Sequence, residues 1–129
     1  MNDEYFFKVS VKGLVLNEEG KLMLLKEGNG DWDIPGGSMV HGETFHQALK
    51  REIKEEMGVE CEILDEKPFA VWLGQDSLGI WRIIICFRVR LLSYKFIHSD
   101  EFVDLAYFNK SDSEKINLHP LKKPVYNYI

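Results

Sequence analysis

The stretch GSMVHGETFHQALKREIKEEMGV, residues 37–59, carries the clearest secondary-structure signal of the 129-residue chain. Apolar residues recur at helical spacing over Phe45–Met57, which predicts an amphipathic helix. Thr44, followed three residues later by Gln47, forms a capping-box pattern at its start. Gly58 is the residue type expected just beyond a helix C-terminus. The sequence therefore predicts one helix with well-defined ends.

Three glutamates, Glu52, Glu55 and Glu56, occupy the last two turns of this helix. The carbonyl end of a helix carries partial negative charge, so each acid there is unfavourable by roughly 0.3–1 kcal/mol. On a helical wheel Glu52 and Glu56 fall within the core-facing sector, and Glu55 lies at its border. These acids need compensation, because a half-buried carboxylate is costly unless it is paired.

Two arrangements would compensate the acids. The first is an ion-pair cluster, but Lys50 and Lys54 lie on the opposite side of the helix, and Arg51 alone cannot neutralise three carboxylates. The second is a divalent cation, because clustered carboxylates are hard oxygen ligands that suit Mg²⁺ or Mn²⁺. The pattern favours the cation over the ion-pair cluster.

The composition fits a single domain, residues 1–129, with 45% hydrophobic residues. A net charge of −5 argues against a general nucleic-acid or anionic-membrane surface, although a metal ion would still allow a small phosphorylated ligand. We find no signal-peptide pattern and no apolar stretch of roughly 18 residues, so we expect a cytoplasmic protein with no membrane partner. Cys61 and Cys86 lie in apolar runs without C-x-x-C spacing, which indicates buried free thiols.

The rest of the chain alternates β-rich runs with turn residues. Residues 7–16 and 21–27 predict a hairpin around the turn at 17–20. Ser111 and Glu114 form a second capping-box pattern, which predicts a short helix that ends by Pro120. Further strands are predicted at Cys61–Leu64, Phe69–Leu73, Trp81–Leu92 and Phe102–Phe108. The run Trp81–Leu92 is the longest and is predicted to be central, so the sequence indicates an α/β domain with a mixed sheet.

Residues 37–59 resemble the Nudix box of the Nudix (MutT-like) hydrolases. That pattern is G-x5-E-x7-R-E-U-x-E-E-x-G-U, in which U is a bulky apolar residue. Every defined position is met, by Gly37, Glu43, Arg51, Glu52, Ile53, Glu55, Glu56, Gly58 and Val59. The resemblance implies an α/β/α sandwich around a mixed sheet, with the box as a loop-helix-loop. It also implies hydrolysis of a nucleoside diphosphate linked to another group X, such as a nucleoside triphosphate or an oxidised nucleotide.

The resemblance further implies roles for the acids of the box. Glu52 and Glu56 are expected to be ligands of one or more Mg²⁺ ions. Glu55 is expected to be a ligand or to orient the attacking water. The carbonyl of Gly36 is expected to be a backbone ligand, which suits a Gly-Gly pair where the chain approaches an ion closely.

The remaining box residues are expected to support the acids. By resemblance Arg51 orients the glutamates through a salt bridge, and Glu43 holds the loop against the helix. Gly37 and Gly58 are structural residues of the box. The general base is either a box glutamate or Glu101, which lies in a later polar stretch. The histidines, His41, His46, His98 and His119, are predicted to be surface residues or to be satisfied by hydrogen bonds.

Other readings of the sequence stay open. A Nudix-like domain that binds a nucleotide without turnover is one, and an enzyme acting on a non-nucleotide diphosphate is another. The presence of every box acid favours an enzyme with a small-molecule nucleotide substrate. The sequence identifies neither X nor the nucleobase, and it leaves a homodimer open. Five aromatic residues could stack on a base, although aromatics in apolar strands are more often core residues: Trp32, Trp72, Trp81, Phe87 and Tyr107.

Overall fold

The computed structural model of the protein describes residues 5–97 and 102–129. The predicted helix and all six predicted strands are present within two residues of their expected bounds. In chain order the elements are β1 Lys8–Leu14, β2 Leu22–Lys26, β3 Trp32–Asp33, β4 Gly36–Ser38, α1 Phe45–Met57, β5 Cys61–Ile63, β6 Ala70–Gln75, β7 Trp81–Leu91, β8 Asp104–Phe108, α2 Lys110–Ser113 and a 3-10 helix Pro120–Asn127. Strands β3 and β4 were not predicted, because runs of two and three residues are too short for a periodic pattern.

Strand β7 lies at the centre of a five-stranded mixed sheet, as predicted. One of its edges pairs in parallel with β1, from Lys8↔Arg82 to Leu14↔Arg88. The other edge pairs antiparallel with β6 in its first half and with β5 near its end. Strand β4 pairs antiparallel with the outer edge of β1, which brings the start of the box against this strand.

The predicted hairpin of β1 and β2 is wrong in its pairing. The chain does reverse after β1, where the Asn17 side chain accepts hydrogen bonds from the backbone N–H groups of Glu19 and Lys21. An isolated bridge, Leu16↔Leu22, joins the two segments, but β2 pairs with β3 and β8 in a separate three-stranded sheet. Both edges of β1 are already taken by β4 and β7, so β2 cannot pair along its length.

Helical segments cover both faces of the larger sheet, which confirms the predicted α/β/α layering. Helix α1 packs its apolar side on one face, against Val11, Phe87 and Val89 among others. On the opposite face, Val125 of the 3-10 helix packs in the second core with residues of β2, β6 and β7. The indole N–H of Trp72 donates a 2.6 Å hydrogen bond to the carbonyl of Leu121 and ties this helix to β6.

The ends of α1 are as predicted, and α2 ends before Pro120 as predicted, but the start of α2 is not where the sequence placed it. Thr44 and Gln47 form the reciprocal capping box, and Gly58 has a φ of 73° at the C-cap. The predicted cap at Ser111 is wrong, because the side chain of Asn109 accepts the hydrogen bond that caps α2. The chain also becomes helical again at Pro120, since proline is favoured at the first position of a helix.

The two cysteines, Cys61 and Cys86, are buried and unpaired, as predicted. Burial raises the pKa of the Cys86 thiol to about 12. Within residues 5–97 and 102–129, no helix is both long enough and apolar enough to cross a membrane.

Candidate active site

The last two turns of α1 present the three glutamates as the wheel predicted. The helix buries Ile53 and Met57 in the core, which leaves the acids between core and solvent. The Glu52 side chain is 18% exposed, whereas that of Glu55 is 54% exposed. Glu56 is half-buried. Two partly desolvated carboxylates therefore lie one helical turn apart, at the end of the helix that repels negative charge.

The loop before the helix brings its backbone against these acids. Gly36 has a φ of 128°, and a Cβ there would overlap the carbonyl oxygen of Val11, so glycine is required. The Gly36 N–H donates a 3.1 Å hydrogen bond to Oε1 of Glu56. A Cβ on Gly37 would overlap the carboxylate of Glu52. The Gly-Gly pair thus allows both carboxylates to approach the main chain.

Arg51 connects the loop to the acids of the helix. Its guanidinium binds both carboxylate oxygens of Glu43, at 2.6 and 2.9 Å. It also donates to Glu52 at 2.9 Å, to Glu55 at 3.1 Å and to the carbonyl of Ser38 at 3.1 Å. These bonds hold the pKa of Glu43 down at about 2 and raise the pKa of Arg51. Glu43 further accepts from the N–H of Val40 at 2.9 Å, which fixes the loop.

The structure thus brings together nearly all of the predicted site residues. Gly36, Gly37, Glu43, Arg51 and the three helix glutamates form one contiguous group. Gly58 ends α1, with its N–H bonded to the carbonyl of Lys54 at 2.9 Å. Glu101 lies outside the described residues.

The carboxylates of the box are the kind of ligand that a hard divalent cation prefers, but in this structure they form ion pairs and hydrogen bonds with the protein. In the described part of the chain, no three His, Cys, Asp or Glu side chains are placed to hold a metal ion together. Arg51 binds Glu52 and Glu55, and the Gly36 N–H binds Glu56. Carboxylate and carbonyl oxygens are the ligands that Mg²⁺ and Mn²⁺ prefer. The residues that could hold such an ion are therefore Glu52, Glu55, Glu56 and the carbonyl of Gly36.

A second charged group, which the sequence did not reveal, lies on the face of β1 that points away from α1. The side chains of Lys12 and Lys122 are each only 6% exposed and both contact Asp33, at 3.4 and 3.2 Å. Burial would raise the pKa of Asp33, but the two ammonium groups outweigh it and the pKa lies below its ordinary value. Burial, with the Lys12 charge nearby, lowers the pKa of Lys122 to about 8. Lys12 also donates to the carbonyl of Gly36 at 3.2 Å, which connects this group to the box.

The sequence of β1 shows that one of its faces is polar, but not that this face is buried. Ser10 and Lys12 alternate with Val9 and Val11, which marks one face of the strand as polar. A polar strand face ordinarily contacts water, so the pattern gave no reason to expect burial. The cover comes from the 3-10 helix, which carries Lys122 and was not predicted.

The aromatic residues considered for base stacking are mostly core residues. Trp32, Trp72 and Phe87 are buried, whereas Trp81 is exposed and Tyr107 is half-buried. Two pockets border the box. One, of about 370 Å³, is lined by the charged residues around Lys12. The other, of about 670 Å³, is lined by apolar residues that include Phe6, Phe7 and Val40.

Of the histidines, His119 and His41 agree with the prediction. Nδ1 of His119 accepts a 3.2 Å hydrogen bond from the N–H of Leu121, and His41 is exposed. The prediction is wrong for His46, whose buried Nε2 has no hydrogen-bond partner in the described part of the chain. Its ring instead packs edge-on against Phe87, at 5.0 Å between centroids. His98 lies outside the described residues.

The sequence and the fold both match known proteins. Nucleoside triphosphatase NudI from Enterobacter sp. (strain 638) is 30% identical over 98 residues, 70% of this chain and 70% of that protein. Human 8-oxo-dGDP phosphatase NUDT18 is 41% identical over 56 residues, 40% of this chain but 17% of that protein. The fold of a MutT protein from Methanosarcina mazei Go1 superposes with a TM-score of 0.79 at 20% identity, covering 98% of this chain and 94% of that one.

The family assignment rests on almost the whole chain. The family model of the NUDIX domain matches residues 6–129, a range that includes every predicted site residue from Gly36 to Glu101. Proteins of this family generally need divalent cations and act on small nucleotide substrates. The matched profile, the relative NudI and the box geometry agree, and the chain belongs to the Nudix hydrolase family.

Proposed function

We propose that the chain hydrolyses a pyrophosphate bond in a nucleoside diphosphate linked to another group X. The observation that carries this proposal is the pair of partly desolvated carboxylates, Glu52 and Glu56, one turn apart against the backbone of Gly36 and Gly37. We assign Mg²⁺ or Mn²⁺ to this place, with Glu55 as a further ligand or the group that orients water. When bound, such an ion neutralises phosphate charge, lowers the pKa of water and stabilises the leaving phosphate.

The supporting residues have distinct tasks in this proposal. Arg51 is a positioning residue, because its planar guanidinium holds Glu43 on one side and Glu52 on the other. Glu43 keeps the loop against the helix through its bond to Val40. Glu55 is the most exposed acid of the box, and its ion pair with Arg51, at 3.1 Å, lies near the surface. The Glu55 side chain can therefore leave Arg51 and turn toward the substrate. The general base is Glu55 or Glu101.

Three relatives indicate the range of substrates to test. Their names describe a nucleoside triphosphatase, an 8-oxo-dGDP phosphatase and, in Campylobacter jejuni, an RNA pyrophosphohydrolase. We propose a nucleoside triphosphate or an oxidised nucleotide as the first substrates to examine. Three features stay predictions from the sequence: the cytoplasmic location, the single domain over residues 1–129 and a small-molecule substrate rather than a nucleic acid. The sequence also leaves a homodimer open.

The alternatives from the sequence stay distinct from this proposal. A nucleotide-sensing domain would bind the nucleoside diphosphate without turnover. A Nudix enzyme acting on a non-nucleotide diphosphate would show turnover, but only with other substrates. The intact acid group favours the enzyme over the sensor, because a sensor has no need for half-buried carboxylates that destabilise the helix end.

One set of measurements tests the function and identifies the base. Hydrolysis of a nucleotide panel, with product analysis, is compared for wild type, Glu55→Gln and Glu101→Gln. Loss of a general base lowers turnover by about 10²–10⁴-fold while binding of metal and nucleotide persists. We expect hydrolysis by wild type and a loss in Glu55→Gln at least as large as in Glu101→Gln. Tight binding of nucleotides by wild type without any product would contradict the proposed hydrolysis and favour the sensor.

A further inference from the structure

The charged pocket of about 370 Å³ beside the box contains two buried lysines, Lys12 and Lys122. Its lining carries as many carboxylates as cationic side chains, namely Asp33, Glu27 and Asp76 against Lys12, Lys122 and Arg82. The charges of the pocket therefore balance, and the lysines need no further anion. The role of each lysine follows instead from the groups that it contacts.

The two lysines are alike in burial and in charge. Each is 5% exposed, and each pairs with the carboxylate of Asp33, Lys12 at 3.4 Å and Lys122 at 3.2 Å. Among the residues that the structure describes, Asp33 is the only hydrogen-bond partner of the Lys122 ammonium group. Loss of either lysine removes the same charge from the same carboxylate, so the two positions differ in their remaining contacts.

Of the two lysines, Lys12 also bonds to the backbone at the start of the box. Its ammonium group donates hydrogen bonds of 3.0 and 3.2 Å to the carbonyls of Ile34 and Gly36. The N–H of Gly13, the next residue of β1, donates a 2.8 Å bond to the carbonyl that lies between them, that of Pro35. Two consecutive residues of β1 thus hold three consecutive carbonyls of the turn that leads into β4.

The Gly36 carbonyl is the backbone group that we assign to the divalent cation. Gly36 is followed by Gly37, so the peptide between them lacks the restraint that a side chain would impose. The bond from Lys12 restrains this carbonyl, while the N–H of Gly36 donates to Oε1 of Glu56 at 3.1 Å. A carbonyl oxygen has two lone pairs, so it can accept from Lys12 and also bind an ion.

We infer that Lys12 is a positioning residue of the metal site, which holds the Gly36 carbonyl in place for the ion. The inference rests on the proposed function, because that proposal assigns the ion to the box. Groups that orient a metal ligand without touching the metal typically contribute roughly 10- to 100-fold to metal affinity.

The sign of the effect distinguishes positioning from charge. An ammonium group repels a nearby cation, so loss of its charge alone would strengthen binding of the ion. Loss of a positioning contact weakens binding, because the carbonyl is then free to take other directions. A variant of Lys12 that binds the ion less well therefore reports positioning rather than charge.

The test measures metal affinity in wild type, Lys12→Met and Lys122→Met. Methionine keeps an unbranched side chain and removes the charge and the N–H donors. Lys122→Met is the matched control, because it removes the same charge from Asp33 and leaves the bond from Lys12 to the Gly36 carbonyl.

Affinity is measured for two ions, well below the unfolding midpoint of each protein. Binding of Mn²⁺ is followed by the electron paramagnetic resonance signal of the free ion, and binding of Mg²⁺ by calorimetry. Only the binding that the double variant Glu52→Gln, Glu56→Gln removes is assigned to the box.

We expect Lys12→Met to raise the Kd of either ion by roughly 10- to 100-fold. Lys122→Met should keep the wild-type Kd or lower it, because it removes only charge. If Lys12 contributed to stability alone, Lys12→Met would lower the unfolding midpoint and leave the Kd of the folded protein unchanged. A Kd in Lys12→Met equal to or below that of wild type would overturn the inference, and so would an equal rise in both variants.

If Lys12→Met does not fold, nuclear magnetic resonance of the lysine ammonium groups provides the second test. Lys12 and Lys122 are the buried lysines of the described part of the chain, so their signals should exchange slowest with water. Lys122→Met lacks one of these two signals and thereby assigns the other to Lys12. Addition of Mg²⁺ to wild type should shift the Lys12 signal more than the Lys122 signal, and equal shifts or an unmoved Lys12 signal would overturn the inference.

The outcomes separate this inference from the proposed function. A weaker ion affinity in Lys12→Met, without hydrolysis of any nucleotide by wild type, would support the inference and contradict the proposed function. Hydrolysis by wild type, with equal ion affinity in wild type and Lys12→Met, would overturn the inference and leave the hydrolase intact. Absence of any ion binding that the double variant removes would overturn both the inference and the assignment of the cation to the box.

Discussion

A divalent cation should stabilise this protein by an amount that can be estimated from the site. Three carboxylates, Glu43, Glu52 and Glu55, bind the single guanidinium of Arg51, so the acids of this group outnumber its cation. An ion that binds only the folded protein adds RT ln(1 + [L]/Kd), about 2.7 kcal/mol when its concentration is about 100 times Kd.

This free energy corresponds to a clear change in the midpoint of thermal unfolding. The unfolding entropy of a 129-residue chain is about 0.27 kcal/mol per kelvin near the midpoint. The midpoint should therefore rise by roughly 10 °C when Mg²⁺ or Mn²⁺ reaches about 100 times Kd. Differential scanning fluorimetry over a titration of each ion, with a chelator as the starting point, measures the shift and its saturation.

The variants identify the acids responsible. The double variant Glu52→Gln, Glu56→Gln should lose the shift, and without the ion it should unfold at or above the wild-type temperature, because repulsion at the helix end is removed. Glu60→Gln is the matched control, since Glu60 is exposed and pairs with Lys54 on the other side of the helix. An equal shift in the double variant and in wild type would refute the assignment of the cation to these glutamates.

Three further predictions follow from the same structure. Glu56→Gln should lower turnover by orders of magnitude with an unchanged circular dichroism spectrum, because it removes a carboxylate that we propose as a ligand of the ion. Near-normal turnover of folded protein would contradict this role. Gly37→Ala should fold but lose much of the metal-induced shift, since the new Cβ displaces only the flexible end of the Glu52 side chain. Gly36→Ala should be strongly destabilised, because Gly36 has a positive φ and a Cβ there overlaps the Val11 backbone. Equal behaviour of the two variants in thermal unfolding would show that this reasoning is wrong. Cys86, whose pKa burial raises to about 12, should resist a thiol reagent at neutral pH until the protein unfolds, and rapid labelling of native protein, detected by mass spectrometry, would contradict its burial.

The local features of the site could be predicted from the sequence because neighbouring residues determine them. The caps at Thr44 and Gly58 fixed the bounds of α1, and the helical period placed Glu52 and Glu56 on the side that faces the core. The box pattern then implied the family, and the matched profile and the fold confirmed it. The hydrogen bonds of Arg51 to the acids and to the loop are local too, because every partner lies within 13 residues of Arg51 in the sequence.

Contacts between distant residues were decided only by the tertiary structure. Strand propensity located β1 and β2, but it could not show that β4 and β7 would occupy both edges of β1 and send β2 to another sheet. The same limit hid the charged pocket, because Lys12 and Lys122 meet Asp33 across 21 and 89 residues. A lysine in a strand contacts water unless another part of the chain covers it. Here that cover is the 3-10 helix at the C-terminus, and whether a distant helix covers a given strand face is settled by packing of the whole chain rather than by any local pattern.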